Sequence, residues 1–90
     1  MTPENLWVSP DVKSVLPDIL IDYLYRLALS CGNSRYKLQT FELDPGRLGG
    51  QSIQNILHMD KPHRIFGVTP VSCKLCVLNS AGRYEMILAN

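Results

Sequence analysis

Apolar residues between Val15 and Cys31 recur with a helical period, and from Tyr36 onward the period falls to two. Pro17 suits the first turn of a helix, where its missing N–H costs nothing, and Asp18 favours the positive end of the dipole. The spacing predicts a helix over Pro17–Ser30, stopped by Gly32-Asn33. At about 100° per residue, Leu20, Leu24, Leu27 and Cys31 form its core face, flanked by Ile19 and Tyr23 on one side and Ile21 and Ala28 on the other. Asp18, Asp22 and Arg26 lie opposite, the last two spaced as a supporting pair. The apolar arc spans about 200°, more than one sheet face covers. Ile21, Tyr25 and Leu29 form a second stripe within it, to be covered by the N-terminal segment, by a second copy in a homodimer, or by a partner.

Leu6-Trp7-Val8 reads as a short strand before the turn residues Ser9-Pro10-Asp11. Tyr36–Leu43 is rich in strand formers, with a phase slip near Thr40 that predicts a bulge. Asp44-Pro45-Gly46 is a turn, since Pro presets φ and Gly supplies the reversal. Ser52–Met59 alternates again, with Ile53, Asn55, Leu57 and Met59 against Gln54, Ile56 and His58. Asp60-Lys61-Pro62-His63 breaks it, and Arg64–Val68 is a short strand. Cys73–Leu78 and Arg83–Ala89 flank Asn79-Ser80-Ala81-Gly82, which predicts a hairpin with a four-residue loop. There is no repeat and no linker. The expected architecture is α+β in a single domain over 1–90, with one main helix packed on an antiparallel sheet of four to five strands.

Composition narrows the function classes. At 90 residues the chain has room for one core, and 46% apolar with 19% charged residues is ordinary for a globular domain rather than a disordered one. Nine Lys and Arg against eight Asp and Glu, net +1, set up no global field to attract DNA and no dense acidic face to imitate it. The start, Met1-Thr2-Pro3-Glu4-Asn5, lacks the basic and apolar regions of a signal peptide, and Val15–Cys31 carries Asp18, Asp22 and Arg26. Three cysteines make no disulfide framework. The expectation is a reduced, cytoplasmic protein with no membrane association.

Candidate chemistry is thin. Cys73-Lys74-Leu75-Cys76 has redox spacing, but it lies in a strand, where residues three apart point to opposite faces. His58 and His63 ahead of Cys73 and Cys76 supply four zinc-ligand types, and the same strand geometry divides the cysteines. Gly46-Arg47-Leu48-Gly49 matches the glycine loop by which KH domains clamp nucleic acid, yet it joins two strands rather than two helices. No serine stands in a nucleophile elbow, and Glu42, Asp44 and Asp60 sit at strand ends and turns where solvation explains them. No enzyme activity, cofactor or metal is expected.

Charge is unevenly placed. Residues 1–30 carry four carboxylates against two cations, net −2, and residues 31–90 carry seven cations against four carboxylates, net +3. Arg47, Lys61, His63 and Arg64, with Ile21, Tyr25 and Leu29 of the helix, are the expected partner-binding residues. The alternative is a modest nucleic-acid binder using Arg35, Lys37, Arg47, Lys61 and Arg64. The aromatics are scattered rather than paired as a stacking platform.

The strand-like start, the Val15-Leu16-Pro17 lead into an apolar helix, Leu38–Leu43, Ile56-Leu57-His58 and the closing apolar hairpin from Cys73 to Leu88 together resemble one family. It is the domain of unknown function numbered nine hundred and sixty, small proteins of Firmicutes and their mobile elements. The likeness covers most of the chain; the loops Gly46–Gly50 and Asp60–His63 depart from it. The family has no assigned activity, so the resemblance implies a mixed α/β domain and a plasmid or phage setting, and no catalytic residue. In that setting, the expected function is a non-enzymatic protein-interaction module. Its specific version inhibits a host defence effector in the manner of an anti-CRISPR protein, by steric or conformational block of a Cas nuclease.

Overall fold

The computed structural model describes residues 5–32, 37–56 and 61–89. Six strands and two helices follow one another: β1 (Leu6–Val8), α1 (Pro10–Val15), α2 (Asp18–Gly32), β2 (Leu38–Pro45), β3 (Gln51–Asn55), β4 (His63–Ile65), β5 (Cys73–Ser80) and β6 (Arg83–Leu88). The strands form one sheet in the order β1-β6-β5-β2-β3-β4.

This corrects the expected fold of one main helix on an antiparallel sheet of four to five strands. The sheet has six strands and is mixed, and the chain is mostly sheet, with two short helices making up 25% of it. The parallel pairing is that of β1 with β6, with Leu6 opposite Tyr84 and Val8 opposite Met86. Such a pairing needs a long connection, and no local pattern announces a partner so far along the chain. The second helix, α1, begins where a turn was expected. The Ser9 hydroxyl accepts from Val12 N at 3.2 Å, Pro10 opens the first turn, and Asp11 sits at the positive dipole end. Ser-Pro-Asp is thus a helix start here, closed after one and a half turns when Leu16 donates its N–H to Val12 O at 2.8 Å.

α2 lies over one face of the sheet. Leu20, Leu24, Leu27 and Ala28 are buried on it, against Phe41 and Leu43 of β2, Ile53 of β3, Leu75 and Val77 of β5 and Tyr84 and Met86 of β6 in a single cluster. Alternation along each strand sends the intervening residues to the other, outer face.

No bulge interrupts β2. Its register to β5 is unbroken from Leu38 opposite Leu78 to Leu43 opposite Cys73. The phase slip is a substitution of chemistry instead: Gln39 faces inward and Leu38 outward. The buried amide is satisfied by a relay. Gln39 Nε2 donates to Ala28 O at 3.0 Å, and Asn55 Nδ2 donates to Gln39 Oε1 at 2.7 Å. The relay fixes both amide orientations and leaves the buried Asn55 Oδ1 without a partner.

A second buried amide, Gln51, clips the segment after β4 to the sheet by accepting from Val71 N at 2.6 Å and donating to Val71 O at 3.1 Å. The closing hairpin has a two-residue loop rather than the expected four, since Ser80 pairs with Arg83. Ala81 and Gly82 both have positive φ, 53° and 84°, the pairing that matches strand twist in tight hairpins. β4 starts at His63, inside the expected break, and ends at Ile65 rather than Val68. β3 ends at Asn55; the expected strand positions Leu57, His58 and Met59 lie outside the described residues.

Candidate functional site

Among the described residues, no group of three His, Cys, Asp or Glu could hold a metal ion. Cys73 faces inward opposite Leu43, whereas Cys76 faces outward opposite Thr40, so the two thiols diverge across β5. Burial, and then the Asp44 carboxylate, push the Cys73 thiol above its usual range, which disfavours the thiolate that redox or ligand chemistry requires. His58 lies outside the described residues, and His63 Nδ1 is 3.2 Å from Tyr23 Oη.

The expected partner-binding residues divide. Ile21 is 5% exposed and Tyr25 9%, both within the core cluster, and Tyr25 meets Tyr84 of β6 edge-on with ring centroids 5.4 Å apart. The stripe is therefore covered from within the chain, and only Leu29 reaches solvent. A wide apolar arc on a helix cannot reveal in sequence whether its cover comes from the same chain. Arg47, Lys61, His63 and Arg64 are all exposed. Arg47 sits on the β2–β3 loop, and Arg64 on the edge strand lies against that loop, its Nε 3.3 Å from where a Gly46 Cβ would stand. His63 is on the inner side of the same strand, and Lys61 precedes it.

The outer face of the sheet presents the larger surface, and of the expected partner-binding residues only Arg64 lies on it, at its polar end. Cross-strand register sorts it into rows. Trp7, Glu85, Leu78 and Leu38 make one row across β1, β6, β5 and β2. Ile87, Cys76 and Thr40 make the next, extended by Ile56, whose N–H bonds to Thr40 O at 2.9 Å. The following rows are polar: Lys74 Nζ lies 3.7 Å from Glu42 Oε2, beside Gln54, and Asp44 Oδ1 accepts from the Ser72 hydroxyl beside Ser52 and Arg64.

The outer face is thus split into an apolar half and a charged half. Trp7 at 54%, Leu38 at 52% and Ile56 at 43% exposure head the apolar half, with Leu78, Ile87 and Cys76 half-buried between them. Glu85 is the one carboxylate in its two rows, and neither ion pair formed among the described residues, Arg26–Asp22 or Lys74–Glu42, includes it. Trp7 and Glu85 also line an open cleft of about 470 Å³ running round the β1 edge with Asn5, Leu6, Arg83 and Tyr84.

A signal for this surface does exist in the sequence. Leu6-Trp7-Val8, Leu75-Cys76-Val77-Leu78 and Met86-Ile87-Leu88 are continuous apolar runs within strands. A strand with one wet face alternates, whereas a continuous run belongs to a strand covered on both faces. Among the described residues only the inner face has a covering layer.

Among the described residues no helix is long and apolar enough to cross a membrane. No family model matches the chain, and no curated protein or solved structure resembles it significantly.

Proposed function

We propose that the protein is a non-enzymatic protein-interaction module that docks its partner on the apolar half of the outer sheet face. The observation that carries this reading is that β1, β5 and β6 have the composition of strands covered on both faces while the described residues cover one. Four strands about 4.8 Å apart and two rows about 7 Å apart make a platform wide enough for a helix or a second sheet. Trp7, at the β1 end of that platform beside Glu85, is of the residue type that dominates binding energy. The partner is an apolar surface with one cation set to meet Glu85, which otherwise would be buried unpaired on docking.

The test is capture by the tagged protein from a host lysate, with nuclease added, compared between wild type, Trp7→Ser, Leu38→Ser and Glu85→Lys. The expected result is one near-stoichiometric partner that survives nuclease and is lost by about tenfold or more in each variant. Equal capture by all four proteins, or capture abolished by nuclease, overturns the reading; the latter would move it to nucleic acid bound by the basic loop edge. The finer proposal, that the partner is a Cas nuclease blocked in a mobile-element setting, rests on the family resemblance. It expects stoichiometric nuclease inhibition by wild type but not by Trp7→Ser, and full nuclease activity at large excess of wild type refutes it.

A further inference from the structure

A second surface stands independently of the docking face. β4 ends the sheet, and among the described residues no strand pairs with its far side. The register determines which backbone groups that leaves open. Ile56 N–H bonds to Thr40 O and Gly46 N–H to Gly50 O, each at 2.9 Å. In an antiparallel ladder these bonds alternate, so Ser52 and Gln54 of β3 face β2 while Gln51 and Ile53 face β4. Their partners Ile65 and His63 therefore direct N–H and C=O into the sheet. The N–H and C=O of Arg64 point away from it, followed two residues later by those of Phe66. Pro62, with no N–H, closes the open stretch at the other end.

The side chains on this edge are matched to one kind of strand. Arg64 and Phe66 share the outer face and lie against the β2–β3 loop where it lacks side chains. A Cβ at Gly46 would stand 3.3 Å from Arg64 Nε, and one at Gly50 only 2.9 Å from the Phe66 ring. The ring is 68% exposed. Lys61, Arg64 and Arg47 put three cations at this edge, and none takes part in the ion pairs formed among the described residues. Antiparallel pairing of β4 with its own copy, centred on Arg64, would set Arg64 against Arg64, a like-charge pair on a direct cross-strand contact. Charge and a nearby proline guard edges against self-association in this way. The same features leave an acidic strand as the complementary occupant.

We propose that the free edge of β4 accepts an extended acidic segment of a partner protein as a seventh strand. A carboxylate of that segment pairs with Arg64, and an apolar side chain two residues away rests on Phe66. Backbone bonds to Arg64 and Phe66 supply the affinity, and the acid–x–apolar spacing supplies the choice of sequence. A directly opposed ion pair and an aliphatic on an aromatic are both stabilising cross-strand contacts.

The probe is a labelled nonapeptide, Asp-Thr-Val-Thr-Asp-Thr-Val-Thr-Asp, titrated against the whole protein by fluorescence anisotropy. Amide hydrogen exchange is followed by NMR in the same samples. The expected result is saturable binding, weakened about tenfold or more by Arg64→Glu and abolished when the peptide Asp residues are replaced by Lys. New protection should appear at the Arg64 and Phe66 amides and not at the Ala81-Gly82 hairpin. Phe66→Ser provides a second variant that alters the apolar contact while leaving the cations in place, and it too should weaken binding. Four outcomes overturn the proposal: no saturation at millimolar peptide; unchanged affinity in both variants; binding without protection at Arg64 and Phe66; or equal binding of poly-aspartate or single-stranded DNA.

Discussion

Phe41 and Leu38 stand on the same strand with opposite surroundings. Phe41 is fully buried beneath α2, and Leu38 is half exposed on the outer face. The contrast repeats along the sheet, with Val8 beside Trp7 in β1 and Met86 beside Ile87 in β6. Both faces use large apolar residues, but only the inner set removes much surface from water on folding, and stability scales with that removal. The outer set contributes little to holding the chain together. The difference therefore separates two parts of one sheet: its inner face makes the fold, and its outer face carries the apolar area that we propose for a second molecule.

The sharpest way to test that separation is to truncate one residue on each side. Phe41→Ala should cost about 3–5 kcal/mol through lost burial and a cavity, and Leu38→Ala below about 1 kcal/mol, as for an exposed site. Urea midpoints of the two variants measure this directly, and similar losses from both would erase the distinction between the faces. Next in size is Gln39→Ala, which strands Asn55 Nδ2 and Ala28 O inside the core and should cost about 1–3 kcal/mol. The cost should shrink when Asn55 is also replaced by Leu, since a relay removed whole leaves fewer orphaned groups; an additive double variant would deny the coupling.

Ala81→Gly relieves a left-handed residue in the turn between β5 and β6 and should raise stability by about 0.5–1 kcal/mol, visible as a higher melting temperature.

The smallest expected effect is alkaline. Burial and then Asp44 raise the Cys73 pKa from its ordinary 9.0, and burial and then Tyr84 raise that of Tyr25 from 10.0. The folded chain thus holds these protons more tightly than the unfolded one. Their contribution is complete below the ordinary values and is lost as pH rises through the folded ones. Urea midpoints should therefore fall as pH rises above 9.0 and go on falling above 10.0, and Cys73→Val should remove the earlier part of that fall.

What the sequence disclosed follows the reach of each interaction. α2 was legible to within two residues because its period, Pro17 and Asp18 are all local. β2, β5 and β6 were legible from strand formers and turn residues. One further element was written locally but misread: Ser9-Pro10-Asp11 serves a turn and a helix start equally, and only the Val12 N–H bond decides between them. The β1–β6 pairing had no local signature at all. The exposure of the basic residues at the loop edge was legible because charge and the Pro45-Gly46 turn mark exposed tips. The outer platform was missed although Leu38 and Trp7 were in plain view. An out-of-phase Leu beside a Gln reads as a register fault until Gln39 is seen to be satisfied by Ala28 O.

The parallel pairing of β1 with β6 also bears on how the chain comes to be folded. Leu6 meets Tyr84 and Val8 meets Met86, so the first strand waits for the last. Contacts this distant in sequence close slowly, because their loop entropy is lost before they gain anything. During synthesis α2 can settle on β2, β3 and β5 while Tyr25 still lacks Tyr84 and α1 has no strand beside it. For that interval Tyr25 lacks its Tyr84 cover, and a nascent chain stalled before residue 83 should be the species that chaperones hold and that aggregates when they do not.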